Sequence, residues 1–297
     1  MPSAAKIYIG TSGWSYPKGE GTWKGYFYPA GKINELEYYS QFFNTVEVNS
    51  SFYRPPEPAY VSNWVKRTPP GFLFAVKLWQ KFTHPGMYQE ATGEVAAISQ
   101  QDVDVFSQSL EPLVKSRKLG ALLAQFPPSF KNDDYGRQIL AALARTFGQY
   151  PLAVELRHRS WSDDAGTAAL LRQHNIAWVQ IDEPKFVTSI AQEVPLTSDM
   201  AYFRFHGRNA QDWWTGDSET RYRYDYSPDE ISELADRVKK AAARTRLLFA
   251  FFNNHWKAYA PRNANDMKKA LQLSFQDLPM PSELLQETNI KKTMEER

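Results

Sequence analysis

The chain contains no cysteine. It therefore has no disulfide, no thiolate nucleophile and no cysteine-based metal site. A glycine-rich phosphate turn is missing as well: no GxGxxG follows the first apolar run, which argues against a doubly wound dinucleotide fold. No apolar run approaches the roughly 18 residues that a membrane span requires. The start, "MPSAAKIYIG", lacks a signal-peptide core, so a cytoplasmic location and no membrane partner are expected. Nor does one sign of charge dominate. Thirty-five basic residues face 33 acidic ones, and the net charge of +2 gives no bulk field for nucleic acid, although a local basic groove is compatible with it. Histidine is scarce, 5 in 297 residues, and no HxxxH or HExxH spacing occurs.

Aromatic side chains and short strand-like runs are what the chain does have. Phe, Tyr and Trp make up 14% of it, often beside polar residues, a pattern that suits lined clefts as well as core. Eight runs rich in β-branched or aromatic residues read as strands: 7–13, 45–53, 72–79, 119–126, 152–157, 176–182, 200–207 and 246–253. Helical periodicity fits 33–43, 57–67, 102–117, 134–147, 163–174, 228–243 and 263–275. Helix starts are marked at Ser162-Asp163-Asp164 and at Ser227, followed by Pro228 and Glu230. Alternating β and α elements with largely apolar strands imply a parallel sheet covered by helices. Eight such units in 297 residues predict an α/β fold of the (β/α)₈ TIM-barrel type. No linker or repeat divides the chain, so one domain over 1–297 is expected, with a core at about 6–276 and a tail at 277–297.

A TIM barrel carries its chemistry at the C-terminal ends of its strands. Polar residues gather at those ends. They are Glu47, Asn49 and Ser51 on the second run, Lys77 on the third, Gln125 on the fourth, and Glu155 and Arg157 on the fifth. Gln180 and Asp182 follow on the sixth, Arg204 and His206 on the seventh, and Asn253, Asn254 and His255 on the eighth. Buried charge is costly unless paired or used, and any one of these groups alone would fit an ion pair that closes the barrel. Their convergence on one rim points to a ligand site. Two segments leaving that rim, 80–94 and 208–228, exceed the usual βα connection, as lids do.

These residue types suit several chemistries. Glu155 is the candidate general acid/base, with Glu47 or Asp182 as its counterpart; paired carboxylates across a mouth also suit glycoside hydrolysis. Lys77, Arg157 and Arg204 would hold an anionic group from three sides, and Asn49, His206 and Asn253 would orient it. Trp14 is a candidate stacking wall, as are Trp79, Trp161, Trp213 and Trp214. No cofactor is expected. The alternative is a divalent metal at Glu155, Asp182 and His206, while His84 and His174 look peripheral. Ser12 in "GTSGW" does not stand in a GxSxG elbow, so nucleophilic serine catalysis has little support. The function expected is an enzyme (a hydrolase, lyase or isomerase) acting by acid/base chemistry on a small polar or anionic substrate, phosphorylated or sugar-like. The alternative is nucleic-acid binding or processing through the rim and 208–228. Arg221 and Arg223 alternate there with Tyr222 and Tyr224, beyond Trp213 and Trp214 and ahead of Tyr226.

Eight motifs in order resemble the DUF72, or YecE-like, family. They are "GTSGWSY" (10–16), "YFYP" (26–29), "VEVNSSFYR" (46–54), "FAVKLWQKFTH" (74–84), "QFPPSF" (125–130), "AVELRHRSW" (153–161), "YFRFHGR" (202–208) and "FAFFNNHWKAYAPRNA" (249–264). The resemblance runs from about residue 6 to residue 276 and implies a TIM-barrel fold. It implies no particular reaction.

Overall fold

The computed structural model describes residues 5–29, 32–217 and 220–279. Most of the expected C-terminal tail, 280–297, lies outside the described residues. The strands are β1 (Lys6–Thr11), β2 (Thr45–Val48), β3 (Leu73–Lys77), β4 (Leu119–Gln125), β5 (Leu152–Glu155), β6 (Ala177–Trp178), β7 (Gln180–Asp182), β8 (Met200–Phe205) and β9 (Leu247–Phe252). All pair in parallel, in the orders β2-β3-β4-β5-β6 and β1-β9-β8-β7.

Two seams join these sheets into one ring. At the first, β6 and β7 are halves of a single stave: β6 pairs with β5, β7 pairs with β8, and between them the Val179 amide donates to Val154 O at 3.0 Å. The second seam lies between β1 and β2. Ser12 bridges Glu47, and the Gly13 amide donates to Glu47 O at 2.8 Å. Below that point the phenol of Tyr39 takes over the role of a ladder, accepting from the Thr11 amide at 2.9 Å and donating to Thr45 O at 3.0 Å. Gly10 is required at this seam, because a Cβ there would stand 2.3 Å from Thr45 O. The ring therefore has eight staves and is a (β/α)₈ barrel.

The outer layer comprises α1 (Glu35–Tyr39), α2 (Pro58–Lys66), α3 (Gln80–Thr83), α4 (Pro85–Thr92), α5 (Gln100–Lys115), α6 (Asp134–Phe147), α7 (Gly166–Gln173), α8 (Pro228–Ala242) and α9 (Tyr259–Ala270). The start of α8 follows the expected chemistry: Ser227 and Glu230 form a capping box, Pro228 opens the first turn, and Lys239 and Lys240 close the last. A second capping box, Ser99 with Asp102, starts α5 two residues before the expected helix. The segment after β3 is long, as predicted, but it folds into α3 and α4 rather than an open loop. Among its described residues, the segment after β8 is irregular apart from a turn of 3₁₀ helix at Thr220–Tyr222.

The expected second strand is shorter than its sequence pattern. β2 ends at Val48, and Ser50–Phe52 turn into a 3₁₀ helix held by the Ser51 hydroxyl, which donates to Val48 O and Lys77 O. Ser51 thus fixes the turn and leaves the row begun by Glu47. Among the described residues, no helix is long and apolar enough to cross a membrane.

Candidate active site at the barrel mouth

Side chains along each stave alternate between lumen and outer layer. The early lumen positions hold rings: Tyr8 lies against Phe249 with centroids 5.3 Å apart, and Tyr202 against Phe251 at the same distance. Further along the strands, the lumen turns ionic. Arg204 on β8 directs Nε and one terminal nitrogen at both oxygens of Glu47, at 3.0 and 2.7 Å, and its other terminal nitrogen at Glu155 Oε2, 2.5 Å away. That last nitrogen also reaches Gln125 Oε1 at 3.3 Å. Glu47 is saturated, since Ser12 Oγ and Tyr202 OH each donate to it at 2.7 Å. Glu155 in turn accepts from Arg157 Nε at 2.7 Å. All three of Glu47, Glu155 and Arg204 are buried.

Above this lattice lies the rim. Arg157 extends from Glu155 towards Glu183, 3.4 Å away, and His206, 3.2 Å away; Asn253 Nδ2 lies 3.0 Å from His206 Nδ1. Burial and the neighbouring Arg204 pull the His206 imidazole down to about 4, so it is neutral near pH 7. Although it is buried, Glu155 is held well below the usual carboxylate range by Arg204 and Arg157. It is a fixed negative charge. Two rim groups behave differently. Burial pushes the Glu183 carboxyl up, and its Oε2 has no hydrogen-bond partner. Lys77 is pulled down to about 7 by burial and by Arg204, with Arg157 adding to the effect and Glu155 and Glu47 opposing it. Its Nζ sits 3.9 Å over the Phe52 ring, with no carboxylate within ion-pair range among the described residues.

His84, which looked peripheral in sequence, belongs to this neighbourhood. It meets the Phe52 ring edge-on at 4.9 Å, and burial together with Lys77 and Arg157 pulls it down to about 4. Its position follows from the α3–α4 fold, where it joins the two short helices. Beside it opens a cavity of about 640 Å³, lined among others by Phe82, Phe126, Phe130 and Tyr135. Asn49, at the tip of β2, keeps a buried Oδ1 without a partner.

Asp182 is not at the mouth. It pairs in register with Phe205 on the outer face, and its carboxylate is taken by Arg208 at 2.8 Å, Tyr226 OH at 2.8 Å and Gln192 at 2.9 Å. The lumen position on this stave belongs to the next residue, Glu183, as the two-residue period requires. The three residues of the alternative metal set are not brought together: His206 stands 3.6 Å from Glu155, but Asp182 is turned to Arg208. Among the described residues, no group of three His, Asp or Glu converges to hold an ion. Trp14 is also displaced. It packs edge-on to Trp64 of α2 and lines a groove with Tyr60 and Arg67, outside the lumen. Trp161 lies under its loop, stacked on Phe130 and donating to Phe130 O.

The 208–228 segment is occupied with its own packing. Tyr226 donates to Asp182, Tyr224 to Glu230, and Arg223 covers Trp256 at 5.1 Å. Trp213 is buried, with His206 and Tyr222 about one ring away. Glu183, Tyr202 and Phe52 are the site residues that the strand-end reading passed over, and His84 is the one that it set at the periphery. For Glu183 a signal existed: Ala177, Val179 and Ile181 form the slimmer, apolar alternate set, and extending it by two reaches residue 183.

The model of a protein family of unknown function, DUF72, matches residues 8–288. The UPF0759 protein YunF of Bacillus subtilis is 30% identical over 288 residues, 92% of this chain and 97% of its own length. The Escherichia coli protein YecE is 30% identical over 156 residues, about half of each chain. Among solved structures, a DUF72 family protein of Thermotoga maritima is 37% identical with a TM-score of 0.78, covering 90% of this chain and 99% of that one. One of Enterococcus faecalis is 28% identical with a TM-score of 0.79, covering 92% and 98%. By sequence and by fold, the chain belongs to the DUF72 family.

Proposed function

We propose that the chain is a cytoplasmic enzyme that moves protons on a small polar or anionic substrate at the C-terminal rim of its barrel. The observation that carries this reading is Lys77: a half-buried ammonium, ringed by charged groups, that is given no carboxylate of its own. The two arginines answer Glu47 and Glu155, so this lattice is close to neutral and works as a frame. Lys77, at about 7, is left as the group whose protonation can change near neutral pH, which is what acid/base exchange needs, and burial pushes the Glu183 carboxyl up. They stand on the third and sixth staves, nearly facing one another across the ring. Glu155, the first candidate for this role, supplies fixed charge instead. Lys77 is also the cation left to meet an anionic group, with Asn49 one residue past the end of the neighbouring strand.

The test is a calorimetric screen of phosphorylated sugars, hydroxy acids and 2-oxo acids. A ligand of the mouth should lose at least about tenfold in affinity with Lys77→Met, the loss of roughly one charge-assisted hydrogen bond. Binding that is unchanged in that variant overturns the reading.

A further inference from the structure

Lys77 differs from the other rim cations in having no carboxylate partner among the described residues, only the face of the Phe52 ring. Arg204 and Arg157 are clamped by carboxylates, and Lys81, four residues on, pairs with Asp102 at 2.8 Å. The groups that face Lys77 are Arg204, Arg157, Glu155 and Glu47 from the lumen, Phe52 from the turn after β2, and His84 from the α3–α4 joint. Guanidiniums and an apolar ring disfavour the ammonium, and a lysine beside other cations in a desolvated site is activated as a nucleophile. Lys77 is only half-buried. Phe52 touches both the Lys77 ammonium and His84, and His84, unlike Lys77 and Phe52, lines the 640 Å³ cavity. Acid/base chemistry does not require a primary amine, and the one here is held free of ion pairs, with the buried Asn49 Oδ1 at the adjoining strand tip.

We infer that Lys77 is a covalent catalyst that forms an imine with a small aldehyde or ketone, a 2-oxo acid or a phosphorylated carbonyl compound. The inference rests on the rim reading above and names its substrate class. The Nζ lone pair attacks the carbonyl carbon while the C=O π pair moves to oxygen. The amine proton passes to that oxygen to give a carbinolamine. The carbinolamine hydroxyl then takes a proton from solvent and leaves as water while the nitrogen lone pair forms the C=N bond, which leaves the imine nitrogen protonated and cationic. No oxidant, reductant or further reactant is consumed. The resulting cationic imine draws electrons from the adjacent carbon, which is the purpose of such chemistry in isomerases and lyases.

The experiment is reductive trapping. The full chain is incubated with pyruvate, glyoxylate or glyceraldehyde 3-phosphate, sodium borohydride is added, and the peptides are mapped by mass. The result expected is a Lys77 peptide heavier by the carbonyl compound less one oxygen atom. Labelling at Lys77 should exceed that at Lys81 at least about tenfold, as the thermodynamic gap between a free amine and an ion-paired ammonium predicts. It should vanish in Lys77→Arg, whose folding is checked by its circular dichroism and melting. Labelling spread evenly over the lysines, or absent from Lys77, overturns the imine. If in that case phosphate or a hydroxy acid still binds to wild type and not to Lys77→Met, the rim reading stands without the imine. If neither trapping nor binding occurs, both fall.

Discussion

Glu155 lies between two guanidiniums, and each would lose a buried partner if it became neutral. Breaking one member of a buried ionic network costs more than the pair contributes, because the remaining charge stays desolvated. Glu155→Gln should therefore destabilise the chain by about 3–5 kcal/mol, read from urea unfolding; a change within error would mean that the lattice does not hold the lumen. Lys77 gives the opposite sign. Its pKa in the folded chain, about 7, lies below the unfolded value of 10.5. Between those values the unfolded chain binds a proton that the folded chain does not, so the Lys77 contribution to stability rises with pH across that window. Wild type should gain on Lys77→Met as pH rises through it, and parallel curves for the two proteins would contradict the assignment.

Element by element, the barrel is weakest where β1 meets β2, since side chains stand in for part of the ladder. Tyr39→Phe removes one oxygen and leaves the Thr11 amide and Thr45 carbonyl buried without their partner. A loss of about 1–3 kcal/mol is expected, with faster hydrogen exchange at the Thr11 amide as the local signature. Gly10→Ala acts on the same seam by steric means, forcing a Cβ against Thr45 O. It should cost about as much as other overpacked sites, 1–3 kcal/mol, and a variant that melts like wild type would show that the seam can open without penalty. The short α3 and α4 matter for another reason. They carry His84 from a position remote in sequence to the edge of the mouth.

Across the whole molecule, two histidines are held neutral at one end of the barrel. His84 and His206 titrate at about 4 in the folded chain against 6.5 when unfolded. Below pH 6.5 the unfolded chain takes up protons that the folded one refuses, so the contribution of these two histidines to stability should fall as pH drops from about 6.5 to about 4 and level off beneath. Urea midpoints across that range provide the measurement, and the double variant His84→Gln, His206→Asn should flatten the slope. The charge balance over the surface makes a separate prediction. With a net charge of +2, and with Tyr226, Tyr224, Arg208 and Arg223 engaged internally, single-stranded oligonucleotides should show no steep dependence of binding on salt. Fluorescence anisotropy over a salt series decides it, and a slope of several phosphates would revive the nucleic-acid alternative.

The barrel was legible because a parallel stave buried on both faces must be written in apolar residues, and because its polar end falls at one rim. Glu47, Lys77, Glu155, Arg157, Arg204, His206 and Asn253 all stand at or under that rim, on the staves where their runs place them. What failed was finer than a strand. At 182 and 183 the sequence offers two acids in succession, and only the register with Phe205 says that the first faces outward. At 45–53 a run that reads as one strand turns at Val48, because the Ser51 hydroxyl finds two backbone carbonyls. Composition and period by themselves determined the class of fold and the end of it that carries the polar groups. Which carboxylate is clamped, which is left protonatable and which amine goes unpaired was decided by tertiary structure alone, since ion pairing depends on distances between staves that lie up to about 157 residues apart in the chain.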